Sequence, residues 1–235
     1  THQFVLSTIN YGDGDIIANC FTKSDGRKSY LLKRILKSKK GGMKASHFLP
    51  LTQLEVVANH KNKGTLEYLK EVKVLHPYTS LHTDVYKSSL VLFLAEVLKD
   101  SIQEEEANPE VFNFLLTAFN WLDKHESYAY FHILFLLKFS QFIGIYPDDS
   151  EKDAPYFNLM EGNFQQTYEN QYCETGEHVL LFQRFFGMEF EGLSNIKANK
   201  LVRSELLNLV LRYYQLHVHG FKIPKSLEIF NQLFK

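Results

Sequence analysis

The stretch FVLSTINYGDGDIIANCF, residues 4–21, decides the fold. Two short apolar runs, Phe4-Val5-Leu6 with Ile9 and Ile16-Ile17-Ala18-Asn19-Cys20-Phe21, flank the turn signal Tyr11-Gly12-Asp13-Gly14, which predicts two strands joined by a tight turn. The same texture continues through Tyr30-Leu31-Leu32, Leu51 to Val57 and Leu66 to Leu75, with turns at Ser24-Asp25-Gly26, Gly41-Gly42 and Asn62-Lys63-Gly64. Five strands packed into about seventy-five residues most economically close as a small barrel, because closure removes the sheet edges, and the OB-fold is one such solution.

After His76-Pro77 the period lengthens. Val85 to Ile102 is a long apolar-rich segment, and Asn108-Pro109-Glu110 supplies an N-cap, a proline at the first helical position and an acid in the first turn of a helix running to about Asp123. Further helices are expected over Tyr128 to Ile143, His178 to Phe186, Lys197 to His219 and Ser226 to Phe234. Residues 147–176, with Pro147, Pro155 and Gly162, form an irregular insertion that reads as a long excursion or small hairpin. The class is α+β: an OB barrel over residues 1–78, then an all-helical domain over 79–235. The segment Ser127 to Pro147 carries one full charge, Lys138, but its His132, Ser140, Gln141 and three tyrosines mark a core helix rather than a membrane span.

The chain is nearly neutral, with a net charge of −1, yet the charge is divided unevenly. Residues 1–75 hold 13 Lys/Arg against 6 Asp/Glu, a net of +7, and residues 76–235 carry the compensating −8. Such a split points to a polyanion-binding module joined to something else. Two distant cysteines, Cys20 and Cys173, suit neither a disulfide framework nor a CxxC metal site. No secretory signal is visible at Thr-His-Gln-Phe, so a reducing cytoplasmic location is expected.

Nothing in the sequence asks for an enzyme. His217 and His219 are two apart on a helix and point in nearly opposite directions, so they cannot share a metal as residues four apart can. The acid runs Glu104-Glu105-Glu106 and Asp148-Asp149-Ser150-Glu151 read as solvated faces. Gly41-Gly42 follows Lys39-Lys40, the reverse of the order a phosphate-cradling loop needs, and neither GxSxG nor HExxH occurs.

What remains is electrostatic. Lys23, Arg27, Lys28, Lys33, Arg34, Lys37, Lys39, Lys40 and Lys44 crowd residues 23–44 against Asp25 alone. On a strand, Arg27 shares a face with Ser29, Leu31 and Lys33, while Lys28 points with Tyr30, Leu32 and Arg34. Lysines on a loop beside a barrel can follow a phosphodiester backbone and release counterions, giving sequence-blind, salt-dependent binding. Tyr30, Tyr11 and Phe48 are the candidate base-stacking rings, unless they belong to the core.

The order Val5-Leu6, Tyr11-Gly12, Asp15-Ile16-Ile17, Phe21-Thr22, Gly26-Arg27, Lys33-Arg34-x-x-Lys37-Ser38-Lys39 and Phe48-Leu49-Pro50-Leu51 resembles the amino-terminal domain of the bacterial RecO family. The likeness continues to His219-Gly220-Phe221 and Lys225-Ser226-Leu227. It implies a non-enzymatic recombination mediator that binds single- and double-stranded DNA and anneals complementary strands. With RecR, such a protein helps load RecA onto DNA coated by single-stranded DNA-binding protein. By the same likeness, Lys33, Arg34, Lys37 and Lys39 carry DNA contacts. Many members hold zinc on four cysteines in the irregular region, where this chain has only Cys173, so a zinc-free type without cofactor is expected, with Tyr156-Phe157 and Phe164 packing there instead. Family members also bind the acidic, phenylalanine-ended tail of single-stranded DNA-binding protein, which requires an apolar notch beside Lys or Arg. Lys200 and Arg203, about 60° apart on a helix, are the candidates for that contact. Backbone charge does not separate DNA from RNA, so an RNA-binding module and a plain interaction scaffold with solubilising lysines stand as alternatives.

Overall fold

A computed structural model describes residues 1–37, 43–61, 66–103 and 106–233. Lys39, Lys40, Gly41-Gly42, Asn62-Lys63-Gly64 and Glu104-Glu105 lie outside the described residues. The chain forms two compact units, Thr1–Asp123 with Pro224–Ser226, and Lys124–Ile223 with Leu227–Lys235.

In the first unit the five expected strands are present: β1 (His2–Tyr11), β2 (Asp15–Thr22), β3 (Gly26–Leu32), β4 (Gln53–Ala58) and β5 (Leu69–His76). They pair antiparallel in the order β3-β2-β1-β4-β5. Closure comes from a parallel bridge between Tyr30 and Glu67, in which Leu31 N–H donates to Glu67 O at 2.9 Å and Glu67 N–H donates to Ser29 O at 2.8 Å. The β3 edge thereby meets the strand leading into β5, the strand order of an OB barrel. Its interior holds Val5, Ala18, Tyr30, Leu32, Leu54 and Val56, and Phe48 of the 3-10 turn Ala45–Phe48 plugs it.

Alternation puts Phe4 and Phe21 on the opposite face from that interior, and both are fully buried. Their cover is α2 (Pro109–Lys124), whose Phe112 ring lies 5.1 Å from Phe4 and 6.2 Å from Phe21. The helices α1 (Val85–Ser101) and α2 thus complete this unit, which runs beyond the change of texture near residue 78. Both begin on side-chain caps: Asp84 accepts from Lys87 N–H at 2.8 Å and Asn108 from Val111 N–H at 3.1 Å. The link from β5 to α1 is pinned by Asp123, whose carboxylate accepts from the backbone of Thr79 at 3.0 Å, Ser80 at 2.8 Å and Leu81 at 3.2 Å. Lys87, also buried, donates to Ser80 Oγ at 3.0 Å and Asp123 O at 3.3 Å.

The second unit is helical, with α3 (Phe131–Phe142), α4 (Glu177–Gln183), α5 (Lys200–His217) and α6 (Leu227–Leu233). Most residues of α3 are buried, as a core helix requires, and Tyr214 of α5 donates its hydroxyl to Leu136 O at 2.7 Å. No helix among the described residues is long and apolar enough to cross a membrane. The irregular insertion is more regular than its composition suggests: β6 (Tyr156–Asn158), β7 (Asn163–Gln165) and β8 (Cys173–Glu174) form a three-stranded sheet in the order β7-β6-β8. Phe157 stands 4.9 Å from Phe164, 5.2 Å from Phe182 and 5.8 Å from Tyr213, ring centre to ring centre, so aromatic packing fastens this sheet to α4 and α5. His217, read as a helix-end residue, bonds through Nε2 to Leu159 O at 2.8 Å.

Candidate nucleic-acid interface

The basic cluster is gathered by a turn that folds back onto the β1–β2 hairpin. Leu36 N–H donates to Gly14 O at 3.1 Å and Arg34 N–H to the Asp15 carboxylate at 2.6 Å. The second bond offsets the cost of holding Arg34 in the left-handed region, φ +53°. Gly14, at φ +90°, has no substitute: a β-carbon there would sit 2.9 Å from Cγ of Lys37, which lies across the hairpin and pairs with Asp13. Lys33, Arg34 and Lys37 are therefore held together and exposed at one end of the barrel.

Beside them lies the outer face of β1, β2 and β3. Register stacks it in rows across the strands. One row is polar, with Asn19 donating to Ser7 Oγ at 3.0 Å and accepting from Ser29 Oγ at 2.7 Å. The next is apolar, with Ile9 opposite Ile17 and Ile17 opposite Leu31. The closing bridge sets Tyr68 alongside Leu31, and the Lys33 ammonium stands 5.5 Å from the Tyr68 ring centre. Tyr11 opposes Asp15 in the row beyond. Ile9, Tyr11 and Tyr68 are all about half exposed.

The residues singled out in the sequence meet different fates here. Tyr30 and Phe48 are corrected as stacking rings: at 0% and 2% exposure both are barrel core, and no base face can reach them. Tyr11 is exposed on the outer face. Arg27 is not a free surface cation, because its guanidinium donates to Lys99 O at 3.1 Å and Ile102 O at 2.8 Å and so caps the end of α1. Lys23 is exposed at the other end of β2, and half-buried Lys28 sits near Asp25. The Asp25 carboxyl is held below its usual range, first by the hydrogen bond from Ser24 and then, against burial, by His60, with Lys28 adding a little. Lys44 is exposed just before the 3-10 turn. Sequence reasoning passed over Tyr68. The barrel-closing pair, rather than local alternation, decides that Glu67 faces in and Tyr68 out.

In the helical unit, a groove of about 260 Å³ runs between α4 and α5, floored by Leu181 and Val202 and edged by Leu180, Arg184 and Lys197. Its apolar lining is bordered by the cations Arg184 and Lys197 and by the acid Glu177. Arg203 lies outside its lining, with its guanidinium 5.8 Å from the Tyr130 ring centre, and Lys200 is exposed on the first turn of α5. Among the described residues no three His, Cys, Asp or Glu side chains converge on a metal position.

Comparison with known proteins decides the family. The description Recombination protein O N terminal matches residues 1–78, and Recombination protein O C terminal matches residues 82–227. The chain belongs to the RecO family. Its relatives include the DNA repair protein RecO of Christiangramia forsetii, 46% identical over 234 residues covering 100% of this chain and 98% of that protein. The RecO of Flavobacterium psychrophilum is 42% identical over the same shares. That of Bacteroides fragilis is 34% identical, again over 100% of this chain and 98% of the relative. The barrel with its cationic turn is thus the amino-terminal part of a RecO-family DNA repair protein.

Proposed function

We propose that this protein is a non-enzymatic, cytoplasmic recombination mediator that binds single- and double-stranded DNA and anneals complementary strands. With RecR it helps RecA onto DNA coated by single-stranded DNA-binding protein. The observation that carries this reading is the turn that holds Lys33, Arg34 and Lys37 together beside an exposed, ring-bearing sheet face, in a part of the chain with a net charge of +7. Phosphates neutralised by that cluster leave the sheet face free for bases, and no nucleotide-binding loop is needed for annealing. The acidic, phenylalanine-ended tail of single-stranded DNA-binding protein fits the notch between α4 and α5: Leu181 and Val202 take the ring, and Arg184 and Lys197 take the carboxylates.

The test is a titration of single-stranded DNA, duplex DNA and RNA across a salt series, with the unmodified protein and a Lys33→Glu/Arg34→Glu/Lys37→Glu variant. Binding that steepens as salt falls, and a variant that is weaker on every sequence with a shallower salt slope, are expected. A flat salt response, or a folded variant with unchanged affinity, would sink the interface, and a strong RNA preference would redirect it to RNA. Annealing of mixed complementary oligonucleotides should accelerate without ATP.

A further inference from the structure

The outer face of the barrel carries a solvent-exposed ring, Tyr68. Tyr68 is 49% exposed, and among the described residues its one ring or charge partner is the Lys33 ammonium. It ends an apolar row that crosses Ile9, Ile17 and Leu31, while the cationic turn closes one end of the face. We propose that Tyr68 is a stacking platform for an unpaired nucleobase and that it makes this face select single strands over duplex DNA. The inference rests on the reading of the barrel as a DNA-binding module and assigns the selectivity of that same surface.

Single strands and duplexes differ in the base surface they leave accessible. In a duplex, base faces are covered by their neighbours, so a duplex can offer this surface only phosphates, which Lys33, Arg34 and Lys37 attract regardless of strandedness. An unpaired strand offers the same phosphates and also bare π faces. A base laid on Tyr68 enters between the ring and the Lys33 ammonium, and the ammonium then meets the adjoining phosphate. Tyr11, 52% exposed in the neighbouring row, can take a further base. Ile9, Ile17 and Leu31 between them offer apolar contact to base faces without reading the polar edges, which suits a protein that must accept any strand. Charge complementarity favours a polyanion over a neutral partner, and exposed rings in adjoining rows beside the cationic turn suit successive bases of a strand.

The experiment compares affinity for oligo(dT) and for a matched duplex at one salt concentration, in the unmodified protein and in the full-length Tyr68→Ala and Tyr68→Phe variants. Tyr68→Ala should lose about tenfold on oligo(dT) and less than about twofold on duplex, while Tyr68→Phe stays near the unmodified protein. Equal losses on both ligands, no loss on oligo(dT), or a loss confined to an acidic extended peptide would overturn the assignment. A measurement that needs no variant runs alongside: an iodouracil-bearing single strand, photo-crosslinked to the unmodified protein, should attach to the peptide containing Tyr68. Attachment only elsewhere overturns the assignment alone, whereas failure of the unmodified protein to bind any DNA overturns the proposed function with it.

Discussion

The Tyr30 hydroxyl and His60 Nε2 lie 2.8 Å apart, and Nδ1 of the same imidazole lies 3.1 Å from the Asp25 carboxylate. A carboxylate held ionised can only accept, so Nδ1 carries the proton towards Asp25, and the Tyr30 hydroxyl is hydrogen-bonded to Nε2. Burial raises the Tyr30 phenol well above its ordinary range, which keeps that donor in place. The chain Asp25-His60-Tyr30 ties the β2–β3 turn and the segment after β4 to the interior of the barrel. Tyr30→Phe leaves the ring packed but strands a nearly buried imidazole nitrogen. It should cost about 1–2 kcal/mol in urea unfolding while changing single-strand affinity less than about twofold. A large loss of DNA binding at unchanged stability would contradict the placement of Tyr30 in the core.

Arg27 invites the opposite error, because its charge suggests DNA while its bonds are structural. Arg27→Ala removes a charge-assisted cap from two carbonyls at the end of α1 and should destabilise the protein by about 1.5–3 kcal/mol. Arg27→Lys cannot reproduce the forked geometry and should recover less than half of that. In both variants the salt slope of DNA binding should stay close to that of the unmodified protein, whereas a direct phosphate contact would lower it by about one unit.

Asp123 makes stability depend on acid. Burial alone would raise its carboxyl, but hydrogen bonds from Thr79 and Ser80 outweigh it and hold the group at about 2. Its folded value is thus below its unfolded one, so its contribution is complete above about pH 4 and is lost as pH falls through about 2. Asp123→Asn should lower stability at neutral pH by at least ~2 kcal/mol and flatten the pH dependence of unfolding between about pH 4 and 2. A variant that unfolds with the parent's full acid dependence would show that other carboxylates govern it.

How much of this was legible in the sequence follows from the range of each interaction. The β1–β2 hairpin declared itself through alternation and the Gly12 and Gly14 turn, and α2 through Asn108-Pro109, because such signals lie within a few residues of the structure they specify. Alternation gave two faces for each strand and could not say which face another element covers. Phe4 and Phe21 look like barrel interior until α2 is seen to cover them, and the inward turn of Tyr30 hangs on its pairing with Glu67. Arg27 finds its partners 72 and 75 residues away, beyond the reach of any local pattern. The charge cluster was legible as a cluster. Its division into a capping arginine and a clustered Lys33, Arg34 and Lys37 was not.

The pairing of Lys37 with Asp13 yields a prediction of opposite sign to most interface mutations. Asp13 is highly exposed and, in the proposed interface, holds the Lys37 ammonium that a phosphate would otherwise take. Asp13→Asn should therefore tighten DNA binding by about two- to fivefold at low salt, with the gain fading as ionic strength rises and screening grows. Fluorescence anisotropy across the salt series measures it, and a weaker complex would mean that Asp13 serves chiefly to position the turn.

The proposed tail site between α4 and α5 can be tested apart from the proposed DNA surface. Leu180 stands on its rim at 55% exposure, so Leu180→Asp adds a charge without emptying a core position. A carboxylate there repels an acidic tail and wets the apolar notch that its phenylalanine would fill. The variant should bind a peptide ending in acids and phenylalanine at least about tenfold more weakly, keep its unfolding midpoint, and bind DNA as the unmodified protein does. Lys200→Ala, on the exposed first turn of α5 outside the groove lining, should lose less than about twofold. Calorimetric titration of the two variants distinguishes the groove from the helix surface, because a site built on Lys200 and Arg203 would invert the ranking.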